Sequence, residues 1–103
     1  METRGPYVVA SHLRVVAEGA EGLEEAFRER LGEVEDARGF RGLEVWQDEH
    51  DAGAYVMVSW WDSEADFRDY MGSAAHRRSH ARIPGQPHAP RPERVRRYRV
   101  VTR

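Results

Sequence analysis

The sequence predicts an α+β domain of six elements in the order β-α-β-β-α-β, with a four-stranded antiparallel sheet and its helices on one face. Three observations predict it. β-branched residues crowd Tyr7 to Val16, and apolar residues recur at helical spacing from Ala20 to Asp36. Two apolar runs, Leu43 to Gln47 and Ala54 to Trp61, flank the turn-forming stretch Asp48 to Gly53. No repeat or linker interrupts the 103 residues, so one domain over 1–103 is expected.

In the first strand, about 7–16, Val9, Leu13 and Val15 share one face with Ser11, while His12 and Arg14 take the other. The first helix, about 20–36, lines up Leu23, Phe27, Leu31 and Val34 opposite a glutamate-rich side. Gly32 within it costs roughly 1 kcal/mol against alanine. Gly39 and Gly42 lead into a hairpin of about 43–61. In its second strand Ala54, Val56, Val58 and Trp60 face one side; Tyr55, Met57, Ser59 and Trp61 face the other. Neither set is charged. Two helices cover only one sheet face, so the other is expected to meet a second copy of the chain as a homodimer.

Ser63 caps a second helix of about 63–82, with Asp66 as a short-armed capping partner and Phe67, Tyr70 and Met71 as its apolar side. Gly72 and Ser73 break that helix, and Ala74 to Arg82 continues it. Prolines at 84, 87, 90 and 92 make a loop of 83–92, and a last strand is expected at about 95–102. This order is the ferredoxin-like arrangement.

Composition narrows the chemistry. Without cysteine there is no disulfide, thiolate metal site or cysteine nucleophile. All sixteen basic residues are arginine, which excludes Schiff-base lysines, and the chain has no asparagine. No apolar run approaches the ~18 residues of a membrane span, and the N-terminus lacks a signal-peptide pattern. A cytoplasmic protein without membrane contact is expected. There is no phosphate-cradling glycine loop, no G-x-S-x-G and no carboxylate pair.

Residues 1–70 hold 17 acids and 7 arginines, a net of −10, and residues 71–103 hold 1 acid and 9 arginines, a net of +8. The basic end suits an anionic group such as a propionate, or neutralises acids of the same fold. Its aromatic interleaving is limited to Tyr98, which argues against nucleic acid.

His76 and His80 stand four apart and share a helix face. Arg77, Arg78 and Arg82 beside them would repel a bare divalent cation. A single histidine offered to a heme iron fits better, because porphyrin propionates pair with arginines. Histidines that only cap or decorate a helix end are the plainer alternative. Trp60 and Trp61 point to opposite sheet faces, so one can serve an interface and the other a pocket or core. Ser11, among apolar neighbours, needs a hydrogen-bond partner or a ligand.

The segment GFRGLEVWQDEHDAGAYVMVSWWDSEADFRDYMGSAAHRRSH resembles the core of the antibiotic-biosynthesis-monooxygenase superfamily. The features that carry the resemblance are G-F-x-G before a strand, a strand ending in tryptophan, acidic-Ser-acidic, Phe67, an aromatic at Tyr70, and a closing histidine. It implies a dimeric α+β barrel of ferredoxin-like subunits, and its pocket residues are most similar to those of the Isd-type heme-degrading monooxygenases. On that resemblance His80 is the heme's axial ligand, Trp61 presses on the macrocycle, and Phe40 lines the pocket. Arg77, Arg78 and Arg82 are then candidates for propionate contacts.

Ser11 takes the place of the family's first-strand asparagine, and its hydroxyl has a shorter reach than an amide N–H. The resemblance also leaves two other readings open. One is a cofactor-free oxygenase of phenolic or quinol substrates, oriented by Ser11, Trp61, Tyr70 and His80, with His80 or His12 as general base. The other is a non-catalytic carrier of heme or another planar apolar ligand.

Overall fold

Seven elements follow one another in the computed structural model, which describes residues 5–81 and 91–103, without the side chains of 29–33 and 78–81. They are β1 (Tyr7–Arg14), α1 (Ala17–Val34), β2 (Phe40–Asp48), β3 (Asp51–Trp61), α2 (Glu64–Met71), α3 (Ala74–Ala81) and β4 (Arg91–Arg99). The strands form one antiparallel sheet in the order β2-β3-β1-β4. That is the ferredoxin-like topology, with the second helix in two pieces.

The element bounds differ from the sequence reading where pairing, not residue type, sets them. β1 stops at Arg14 because its partner residue on β3 is Ala54; beyond that, Val15 N–H donates to Gly53 O at 2.8 Å outside the ladder. α1 begins at Ala17, a turn before any large apolar residue marks it. β2 starts at Phe40 through a bulge at Gly42, and only Glu49 and His50 form the hairpin turn. The last strand begins at Arg91 instead of 95, so Arg91 and Pro92 belong to it and not to the loop. Pro92 is tolerated because β4 is an edge strand. The rest of the expected proline loop lies outside the described residues.

The core has two centres. Val9, Val34, Trp61, Phe67 and Tyr70 form one beneath α2; Val15, Leu23, Phe27 and Tyr55 form the other beneath α1. Met71, expected on the apolar side of α2, is 44% exposed. It is the helix's last residue, and the stripe between Phe67 and Tyr70 already faces the sheet. The opposite sheet face carries Val8, Ala10, Val56, Trp60 and Trp46, with Trp46 and Trp60 meeting edge to face at 6.5 Å. No described helix packs on it, and Trp46 remains 49% exposed.

Candidate functional site

Directly opposed residues of an antiparallel pair share a face. On the helix-covered side four rows therefore cross the sheet: Phe40–Trp61–Tyr7–Arg99, Leu43–Ser59–Val9–Arg97, Val45–Met57–Ser11–Val95 and Gln47–Tyr55–Leu13–Pro92. The first two rows carry the core centre under α2, and the fourth carries the centre under α1. The third lies between them. Val45, Met57 and Ser11 are half-buried and Val95 is 56% exposed, so no member of that row is sealed. Val45 and Met57 pack against the centre under α1, and the core thins along the rest of this line, from Ser11 to Val95. At the β2 end a cavity of about 360 Å³ opens against α1, lined by Phe27, Leu43, Val45 and Tyr55 with Glu24 and Arg28.

Tyr55 anchors that end. Its hydroxyl donates to Glu24 Oε2 at 2.7 Å and accepts from Gln47 Nε2 at 3.3 Å. Burial first, and then the bond to Glu24, pushes the phenol up to about 12, so it stays protonated.

Trp61 is 1% exposed and ringed by Phe40 at 5.4 Å, Tyr70 at 5.5 Å and Phe67 at 5.7 Å. Its indole N–H donates to Ser59 Oγ at 2.9 Å. It is a core residue with no face open to a ligand. The aromatic between it and α3 is Tyr70, whose ring meets that of His76 edge to face at 5.3 Å. Tyr70 is itself 6% exposed, and its hydroxyl has no hydrogen-bond partner among the described residues. Leaving a buried hydroxyl unmet costs about 1–3 kcal/mol.

α3 is placed by Ser73, whose hydroxyl donates to Tyr70 O at 2.6 Å and accepts from the backbone N–H of His76 at 3.1 Å. His80 falls in the last turn of α3, four residues beyond His76. The side chains of His80 and Arg78, and all of Arg82, lie outside the described residues. Arg77 is exposed, and Nη1 donates to Gly72 O at 3.2 Å. Phe40 is half-buried against Trp61. His12 is on the other sheet face, opposite Val56 and Arg94, away from Ser11.

The basic end partly neutralises acids of its own chain. Arg97 lies 3.4 Å from Glu64 and 5.5 Å from the Phe67 ring centroid, and the single acid of the basic end, Glu93, lies 3.9 Å from Arg14 of β1. Among the described residues no three histidine or carboxylate side chains converge on a metal position.

Residues 6–82 match the family profile described as antibiotic biosynthesis monooxygenase. The chain belongs to that family. A staphylobilin-producing heme oxygenase of Staphylococcus saprophyticus subsp. saprophyticus is 34% identical over 76 residues, covering 72% of each chain. Among solved structures, the heme-degrader MhuD from Mycobacterium tuberculosis, with two hemes bound in its active site, is 26% identical. It superposes with a TM-score of 0.76 over 95% of this chain and 98% of its own. A Bordetella bronchiseptica protein assigned to the same family shares the fold at a TM-score of 0.82 and 18% identity, over 96% of this chain and 100% of its own.

Alternation grouped Ser11 with Val9 and Leu13, and Trp61 with Tyr55, Met57 and Ser59; the register puts both groups on the helix-covered face, and two features of that face had not been foreseen. One was the unmet hydroxyl of Tyr70, for which no sequence signal exists. The other was the Tyr55–Glu24 bond, which the alternation of β3 and the polar side of α1 hint at only after the register is known.

Proposed function

We propose that this monooxygenase-family protein binds heme in the cleft over the Val45–Met57–Ser11–Val95 row and opens the macrocycle with dioxygen. The observation that carries the reading is the thinned core line itself. An apolar floor with one hydroxyl, Ser11, suits a planar apolar ligand, and the sequence is 34% identical to a heme oxygenase. Heme is the substrate here, and its iron supplies the redox chemistry when it is bound.

The protein's own residues divide the remaining work. His80, in the last turn of α3, would supply the protein's ligand to the iron. Arg77, Arg78 and Arg82 meet the propionates, whose charge needs paired donors at the solvent side. Ser11 donates a hydrogen bond on the oxygen side. Phe40 and Trp61 act through packing: they stiffen the wall of which Tyr70 is the outer member. Two copies pair through the sheet face that carries Trp46, Val56 and Trp60, whose apolar surface supports burial in a homodimer. The cysteine-free composition supports a cytoplasmic setting.

Titration of the purified protein with hemin tests the reading. A saturable Soret shift at one hemin per chain, lost or displaced in His80→Ala, is expected. No shift at stoichiometric hemin contradicts it.

A further inference from the structure

We propose that Glu44 and Arg96 select the orientation in which two copies of the chain join, each Glu44 meeting the partner's Arg96. The inference rests on the homodimer reading above and adds to it the residues that decide how the copies face each other. Three rows cross the uncovered sheet face: Gly42–Trp60–Val8–Tyr98, Glu44–Val58–Ala10–Arg96 and Trp46–Val56–His12–Arg94. Their ends differ in charge. β2, one edge of the sheet, contributes Glu44, whose Oε1 accepts the indole N–H of Trp46 at 2.8 Å. β4, the other edge, contributes Arg94 and Arg96, both exposed, and neither has an ion-pair partner among the described residues. Glu93, the acid of β4, is turned to Arg14 at 3.9 Å.

A second copy laid on this face takes the guanidiniums of Arg94 and Arg96 out of water, so each needs an anion or an aromatic face opposite. The two ends of a row stand about 14 Å apart, three strand spacings, and therefore do not satisfy each other within one copy. With the strands of the two sheets aligned, a two-fold axis between the copies runs either across the strands or along them. Across them, β4 lies over the partner's β4, and arginine meets arginine. Along them, β2 lies over the partner's β4, and every row meets itself reversed. Glu44 then stands opposite the partner's Arg96, and Trp46 opposite the partner's Arg94. Val58 meets Ala10 at the centre, and Gly42, with no side chain, leaves room for the Tyr98 ring. Only the second arrangement gives each of the two arginines a complement.

Sedimentation equilibrium of the wild type and three variants tests the assignment. The wild type is expected at twice the 11.9 kDa of one chain. Glu44→Arg and Arg96→Glu should each weaken the dimer by about a hundredfold, because each sets like charges opposite one another at two symmetric places. The double variant Glu44→Arg/Arg96→Glu should return to within about tenfold of the wild type. An equimolar mixture of the two single variants should recover as well, as a heterodimer, which also shows that both are folded. An Arg96→Glu dimer as tight as the wild type, or tighter, overturns the assignment and leaves the homodimer reading standing. Single variants that dissociate, with recovery neither in the double variant nor in the mixture, overturn it too. A wild type that stays monomeric removes the homodimer reading and this assignment together.

Discussion

Trp61 donates its indole N–H to the hydroxyl of Ser59 at 2.9 Å, two residues back on the same face of β3, and both side chains are buried. The bond lets the largest side chain of the protein lie wholly inside the core, because its single polar atom is met there. Ser59→Ala is expected to cost about 1–3 kcal/mol by leaving that N–H unsatisfied. Thermal unfolding followed by tryptophan fluorescence checks this. An unchanged Tm would mean that the bond does not support the core.

Gly39 has φ +77, and a Cβ there would collide with the carboxylate of Asp66 at the start of α2. Gly39→Ala is expected to destabilise by more than about 1–2 kcal/mol, the cost of a left-handed alanine before any collision. Gly72 is the control. Its φ is −90 and an added Cβ meets only ordinary contacts, so Gly72→Ala should be close to neutral or better. Urea unfolding of the two variants compares them directly, and equal losses would contradict the account.

The sharing of faces along β1 and β3 and the apolar stripe of α1 were legible because alternation and helical spacing are local signals. Val9 stands with Leu13, Tyr55 with Trp61, and Phe27 and Val34 lie on the expected stripe, whereas the register and the division of the core into two centres were not legible. The thinned row at Ser11 was not legible. It depends on how helices and strands from distant segments pack together, which no local signal carries. Trp61 shows the same limit: its residue type suits a pocket or a core equally, and only its neighbours Phe40, Phe67 and Tyr70 decide for the core. β4 began four residues early because Arg91 and Pro92 pair with β1 despite a composition that reads as loop.

Arg14 Nη1 lies 2.9 and 2.8 Å from the two carboxylate oxygens of Asp51, and this pair joins the end of β1 to the start of β3. Its hydrogen bond holds the Asp51 carboxyl below the usual carboxylate range, and Arg41 does the same to Asp62 at 2.6 Å. A carboxyl depressed in the folded state contributes stability above its unfolded pKa of about 3.9 and loses it as pH falls through the folded value. Stability should therefore decline below about pH 4. Asp51→Asn should flatten that decline, which unfolding measured between pH 6 and pH 3 checks. An identical slope in the variant would show that the ion pair does not contribute.

For Tyr55 the sign is reversed. Its phenol is raised to about 12, mainly by burial and then by the bond to Glu24. Its contribution is complete below the unfolded value of about 10 and is lost as pH rises towards 12. In a spectrophotometric titration one of the four tyrosines should ionise late, and Tyr55→Phe should remove that late step. A variant that keeps the late step would assign it to another tyrosine.

The central claim is that this protein opens the heme macrocycle. Hemin-loaded protein incubated in air with ascorbate tests it most directly. The account predicts loss of the Soret band, growth of an open-chain chromophore and release of iron to a chelator, all suppressed under argon and in His80→Ala. A Soret band that persists in air with reductant, while hemin stays bound, would contradict the claim and identify a carrier.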